Sequence, residues 1–226
     1  MADGLEEDMS SGPEVVVMGR LSADIYPAQI RTPLREQRNY VRYVGGFAGN
    51  VSTGLARDKS RSAHIATLER HPHTTIFDLD YRPSFWSGAD AYRRAVRAAL
   101  PRADIVVGNE DEVRAATGAE DPRAGIATLR ALGPRVVILK RGGEGATLFD
   151  GDRAIEVPPV RMEVVNGLGA GDAFLASVTH GLLRGINLET AVRRANWAGA
   201  YVASQVPCSE AMPYLGDVNA AVLSAS

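Results

Sequence analysis

Between Asp104 and Val157 the sequence alternates short apolar runs with helix-forming segments that carry their own stop signals, and this rhythm leaves few folds open. DIVV (104–107) reads as a strand, and Glu110–Thr117 as a short helix stopped by Gly118. A second helix has Asp121 as its cap, Pro122 in its first position and Gly133 past its end. RVVIL (135–139) is the next strand, and ATLFDGDRAIEV (146–157) reads as two strands around an Asp150-Gly151-Asp152 turn. Strands that are apolar throughout, with helices between them, are covered on both faces. The pattern therefore predicts an α/β fold with a mostly parallel sheet.

The flanking segments fit the same scheme. EVVVM (14–18) is a buried strand, and a polar, proline-punctuated stretch follows it. NYVRYV (39–44) runs as a strand into Gly45 and Gly46, and GNVSTGLA opens a helix. A helix over Ser62–Arg70, a strand over Thr74–Leu79 and an amphipathic helix over Asp90–Leu100 come next. Two helices, Ala170–Leu183 and about Leu188–Ser204 with Asn187 as cap, close the chain.

Bulk properties remove several function classes. A net charge of −2 without a basic block argues against a nucleic-acid surface. No apolar run reaches the length of a membrane span. Cys208 is the only cysteine, so no internal disulfide or cysteine-based zinc site forms, and a reducing cytoplasm fits. Cys208 itself lacks an evident base or cationic partner and reads as a small structural residue. His71 and His73 have no third ligand at metal spacing, and Trp86 and Trp197 read as packing residues. The acidic first thirteen residues read as a loose tail and not as a signal peptide.

The segment that carries chemistry is VVNGLGAGDAF (164–174). Its glycines, Gly167, Gly169 and Gly171, strip side chains from the backbone just ahead of an apolar helix. Bare amides at a helix N-terminus bind anions. A dinucleotide fingerprint fails because its sixth position is Asp172, and a P-loop fails because no lysine follows the glycines. Two readings stay open from these residues alone. Asp172 could take a proton from a hydroxyl while the amides hold developing negative charge, as phosphoryl transfer to an alcohol requires. Alternatively, the loop is simply tight and the aspartate favours the helix dipole.

NGLGAGDAF resembles the D-T-x-G-A-G-D-x-F signature of the ribokinase-like pfkB carbohydrate kinases. VVVMGRLSADIYP (15–27), VGGFAGNVS (44–52), FDLDYRPSFW (77–86), VVGNEDEV (106–113), LKRGGEGA (139–146) and RANWAGAYVAS (194–204) resemble further family segments, in the family's order. The resemblance covers most of 14–215 and implies a three-layer α/β/α ribokinase-like sandwich, with residues 14–226 as one domain. GRLSADIYPAQ, DLDYRP and CSEAMP (208–213) are most similar to the 5-dehydro-2-deoxygluconokinases of inositol catabolism. That likeness implies ATP-dependent phosphorylation of the sugar acid 5-dehydro-2-deoxy-D-gluconate. Ribose, fructose or 2-keto-3-deoxygluconate are the other acceptors considered.

By resemblance, Asp172 is the general base, and Gly169, Ala170 and Gly171 supply the anion-hole amides. Asn109 and Glu112 would organise Mg²⁺ through water, although N-x-x-E is also a common helix-cap pattern. Lys140, Gly142 and Gly145 would line ATP, and Asn196 would lie near the adenine. Asp24, Gly45, Gly46 and Asn50 are the expected sugar contacts. Arg20, Arg42 and Arg82 are cations placed for an acidic substrate, with an ion pair to Asp78 or Asp80 as the other reading of Arg82. The partners implied are a small sugar or sugar acid, with no nucleic acid and no membrane; a homodimer stays open.

One spacing departs from the family. Only 25 residues (51–75) separate Asn50 from Ile76, an interval that is much longer in family members. The simplest account is an internal shortening between about 53 and 62, which leaves the ATP half whole and the lid over the sugar largely missing. A second reading follows, that of a non-catalytic nucleotide-binding remnant.

Overall fold

A computed structural model describes residues 15–17, 19, 22–29, 32–57, 62–63, 74–207 and 209–224. Strand β1 (Val15–Val16) is followed by β2 (Ser22–Pro27), β3 (Tyr40–Gly45), helix α1 (Phe47–Arg57) and β4 (Ser62–Ala63). Then come β5 (Ile76–Asp78), α2 (Ala89–Ala99), β6 (Ile105–Asn109), α3 (Glu110–Thr117), α4 (Pro122–Ala131), β7 (Val136–Lys140), β8 (Ala146–Asp150) and β9 (Arg153–Val157). Helices α5 (Ala170–Leu183), α6 (Leu188–Ala203) and α7 (Leu215–Ser224) complete the described chain.

The main sheet has the order β5-β6-β7-β8-β9. Strands β5, β6 and β7 run parallel, and the β8–β9 hairpin continues the sheet antiparallel. Successive strand residues point to opposite faces, and each face has its own core. Ile105, Val107, Val136 and Ile138 pack with Leu55, Phe174, Val178 and Val192 of α1, α5 and α6. Val106, Val137 and Leu139 pack on the other side with Val96, Val113, Ile126 and Leu129 of α2, α3 and α4. The result is an α/β/α sandwich, as the continuous apolar strands required.

Local signals set the element ends. Asp121 caps α4 by accepting from the amides of Arg123 and Ala124, at 3.3 and 3.0 Å, with Pro122 in the first turn. Asn187 caps α6 through the Thr190 amide at 2.9 Å. Gly118 ends α3 in the left-handed conformation. These three ends lie where the sequence places them.

The N-terminal part departs from expectation. Ser22–Pro27 is a strand paired antiparallel with β3, in a stretch read only as polar and proline-punctuated. Ser62–Ala63 is a strand, parallel to β1, and not the first turn of a helix over Ser62–Arg70; the rest of that segment lies outside the described residues. The 1–13 tail, Arg20, His71, His73 and Cys208 also lie outside them. Helix α7, absent from the sequence reading, follows α6. Buried Ala198 and Val202 of α6 cluster with Met212, just ahead of it. Trp86 packs edge-on to Tyr92 at 5.3 Å, and Trp197 stacks on Tyr201 at 5.1 Å, as packing residues should. Among the described residues, no helix is long and apolar enough to cross a membrane.

Ile138 is fully buried in the middle of β7, two residues before Lys140. Ile138→Ala removes three carbons from a close-packed layer. It is expected to lower unfolding free energy by about 2–5 kcal/mol in urea titrations.

Candidate active site

The carboxyl ends of β5, β6 and β7 and the N-terminus of α5 converge on a cleft of about 1180 Å³. Ligand sites in parallel sheets form at such strand ends. Each parallel strand ends in a polar or charged side chain: Asp78 on β5, Asn109 on β6 and Lys140 on β7. All three line the cleft, with Glu112, Asp172 and the Gly167–Gly171 turn.

Lys140 is the centre of the charge arrangement. Its Nζ lies 3.5 Å from Asp78 Oδ1 and 3.8 Å from Glu112 Oε2, and these side chains are 17%, 5% and 12% exposed. Burial raises the Asp78 and Glu112 pKa values above normal, against the opposing field of Lys140. Burial also opposes charge on Lys140, but Asp78, Glu112 and Asp172 outweigh it and hold the amine protonated.

Asp172 stands in the first turn of α5. Its N-cap, Gly169, has φ 80°, a conformation that glycine adopts without strain, and gives the helix no side-chain cap. The Ala170 amide makes only a long contact of 3.4 Å to the Gly167 carbonyl. The Asn50 side-chain amide, from α1, donates to Asp172 Oδ2 at 2.7 Å. Asn50 is buried, and its Oδ1 finds no acceptor role among the described residues. Burial raises the Asp172 pKa to about 6; the Asn50 hydrogen bond lowers it, and Asp78 and Asp80 push it up further.

Asn109 and Glu112 form a reciprocal capping box. Glu112 N donates to Asn109 Oδ1 at 2.9 Å, and Asn109 N donates to Glu112 Oε2 at 2.7 Å. The helix-cap pattern is therefore real, yet the glutamate is not the exposed one that a simple cap would carry. Among the described residues, no group of three His, Cys, Asp or Glu side chains could hold a metal directly. Asp78, Glu112 and Asp172 nonetheless outnumber the single ammonium among them. A hydrated dication suits such a net negative, weakly coordinating donor set.

The other expected residues divide. Gly142 and Gly145 line the cleft beyond β7. Asn196 lines it too, and its amide donates to the Pro158 carbonyl at 3.0 Å, which ties the segment after β9 to α6. Arg82 pairs with Asp80 at 2.7 Å, so the ion-pair reading of Arg82 describes its contact. Asp80 has φ 27° and is the one non-glycine residue with positive φ among those described. Asp24 stands opposite Tyr43 on β3 and lays its carboxylate diagonally over the Gly45 backbone, and Gly46 turns the chain into α1. Of the four expected sugar contacts, only Asn50 reaches Asp172. Arg42 is exposed on β3.

Two features went unread in the sequence. Pro159, Val160 and Met162 form part of the cleft wall, in a stretch with no periodicity to mark it. Asp78 is the buried counter-ion of Lys140, and only the parallel register, which sets Asp78 beside Val107 and Asn109 beside Lys140, brings them together.

Known proteins similar to this chain agree on its type. Residues 62–214 match the pfkB family carbohydrate kinase model. The 5-dehydro-2-deoxygluconokinase of Lacticaseibacillus casei is 30% identical over 175 residues, which are 74% of this chain and 53% of that protein. The chain spans about half the length of the curated relatives it matches. Aminoimidazole riboside kinase from Salmonella enterica, solved with aminoimidazole riboside and an ATP analogue, superposes with a TM-score of 0.77 at 19% identity, covering 92% of this chain and 99% of its own. An E. coli chain solved with ATP and Mg²⁺ gives a TM-score of 0.81 at 16% identity, covering 94% and 99%.

The raised pKa of Asp172 has a thermodynamic signature. Its folded-state value, about 6, lies above the ordinary 3.8, so ionising it costs stability as pH rises through that window. Asp172→Asn is expected to stabilise the protein at pH 8 by about 1–3 kcal/mol. The gain should vanish below about pH 4, as read from paired urea titrations of the two proteins. The match over 62–214, on a ribokinase-like fold, makes this chain a member of the pfkB family of carbohydrate kinases.

Proposed function

We propose that this chain phosphorylates a hydroxyl of a sugar or sugar acid with ATP, and that 5-dehydro-2-deoxy-D-gluconate is the acceptor. The observation that carries the reading is the half-buried carboxylate of Asp172, oriented by Asn50 beside a helix start with no side-chain cap. The relatives named 5-dehydro-2-deoxygluconokinase support the choice of acceptor.

In this reading Asp172 accepts the proton of the acceptor hydroxyl as that oxygen attacks the terminal phosphorus of ATP, whose bond to the bridging oxygen breaks so that ADP departs with that electron pair. A base with a pKa of about 6 is largely ionised at neutral pH and still basic enough to help. The Asn50 side-chain amide keeps Asp172 aimed. The Gly169, Ala170 and Gly171 amides hold the negative charge that grows on the migrating phosphoryl group. Lys140, Gly142 and Gly145 border the nucleotide, and Asn196 shapes the far wall by holding Pro158. Asn109 and Glu112 hold Mg²⁺ through its waters, and the ion, when bound, neutralises phosphate charge. Asp24, Gly45, Gly46 and Arg82 belong to the acceptor side.

Residues 14–226 act as one unit in the cytoplasm, internally shortened between about 53 and 62. A specific observation favours a second reading. The chain spans about half of its relatives, and of the expected sugar side only Asn50 reaches the base. A nucleotide-binding remnant without turnover fits both facts.

A coupled assay of ADP release with a panel of sugars and sugar acids separates the two. The kinase reading expects turnover with 5-dehydro-2-deoxy-D-gluconate, with kcat rising through about pH 6 as Asp172 ionises. Asp172→Asn should lower kcat by about 10²–10⁴-fold while calorimetry still detects ATP binding. Nucleotide binding without turnover on any acceptor would establish the remnant instead.

A further inference from the structure

We infer that Lys140 is the cationic member of the anion hole, a side chain that contacts the terminal phosphate of the nucleotide and not merely a counter-ion for Asp78 and Glu112. The inference rests on the ATP-dependent reading above and names the group that would distinguish ATP from ADP. Three observations place Lys140 in this role.

The first is position. A Cβ placed on Gly171 would lie 3.4 Å from the Lys140 Nζ, so the ammonium sits directly against the glycine turn. The amides of that turn and the ammonium therefore address one small volume, with Asp172 on its border. A larger side chain at 171 would stand between them.

The second is the looseness of its ion pairs. Nζ···O separations of 3.5 and 3.8 Å are longer than the roughly 2.7–2.9 Å of a tight charge-assisted hydrogen bond. An ammonium has three donors on a flexible stem. Neither carboxylate holds Lys140 at close range, so a phosphate oxygen can take a donor without a short bond having to break.

The third is competition among cations. Of the four arginines that line the cleft, Arg82 is committed to Asp80 at 2.7 Å, Arg93 to Asp90 at 2.6 Å and Arg114 to Asp111 at 2.7 Å, and the fourth, Arg161, is exposed on the segment after β9. Lys140 is the cation that the strand order brings to the glycine turn itself. It also has an electrostatic task there. Asp78, Glu112 and Asp172 would repel an incoming polyanion, and a fixed positive charge between them and the phosphate removes much of that repulsion.

A purely structural counter-ion and a phosphate-contacting cation differ in what they do to two ligands. Lys140→Met, Lys140→Gln and Lys140→Arg are titrated calorimetrically with ADP and with a non-hydrolysable ATP analogue, both with Mg²⁺, alongside thermal unfolding. The expected result is a loss of about tenfold or more in analogue affinity for Met and Gln. ADP affinity stays within about threefold of the wild type, and Arg recovers most of the loss. In the sugar assay, kcat falls about 10²–10³-fold for Met and Gln with a much smaller change in the KM for the acceptor.

Equal loss of both ligands, or unchanged preference for the analogue, overturns the role of Lys140 and leaves the kinase reading standing. Lowered thermal stability with both affinities retained does the same, and marks Lys140 as a counter-ion only. Should Met fail to fold, Gln and Arg carry the comparison, because both keep a polar group over Asp78. A wild-type chain that binds neither nucleotide overturns the kinase reading itself, and the role of Lys140 falls with it.

Discussion

The site depends on a single buried positive charge. Asp78, Glu112 and Asp172 come from three different elements and would not tolerate proximity in a dry cleft without compensation. Lys140, at the last position of β7, supplies that compensation. Without the ammonium the carboxyls would protonate or draw in water. Their raised pKa values show that compensation is incomplete even with Lys140 in place, because burial still dominates for each carboxyl. The cleft thus carries more negative than positive side-chain charge around Lys140, which a nucleotide-bound dication would offset in the proposed reaction.

A second coupling joins the two halves of the chain. Asn50 belongs to α1, far upstream, and its amide holds the carboxylate of Asp172 across a sequence distance of 122 residues. Packing keeps that bond in register. Leu55 of α1 and Phe174, Leu175 and Ala176 of α5 share one core, and Gly54 lets the helices approach so closely that a Cβ there would sit 2.7 Å from the Ala176 side chain. The hydrogen bond is therefore a consequence of helix packing and not of a local motif. The contact that orients the proposed base is made by α1 and α5, which pack on each other directly.

Legibility followed the range of the interactions. From β6 onward, strands, caps and stops were readable because Asp121, Pro122, Gly118 and Asn187 act on their own helices and need no distant partner. The same locality made the N-x-x-E pattern readable, though only burial shows that Glu112 faces the cleft side of its cap. Ser22–Pro27 was not readable as a strand, since its pairing comes from β3 and its composition resembles a loop. Ser62–Ala63 has helix-tolerant residues, yet it pairs with β1, a tertiary choice that outweighs propensity. Asp78 and Lys140 lie 62 positions apart, and nothing local predicts their meeting.

The glycine turn shows how these levels combine. In sequence, Gly167, Gly169 and Gly171 fit either a tight loop or an anion hole, because both need bare backbone. The fold removes part of that ambiguity. A turn that existed only to start α5 would need no half-buried base on the helix's first turn, and its aspartate would gain most from exposure near the helix dipole. Asp172 is instead half-buried, raised in pKa and tied to Asn50, which costs stability at neutral pH. Proteins keep such a cost where a reactive group is needed. In the proposed reaction the amides of the turn and the ammonium of Lys140 would face the developing charge and Asp172 the departing proton, so a single cleft would serve both requirements of phosphoryl transfer.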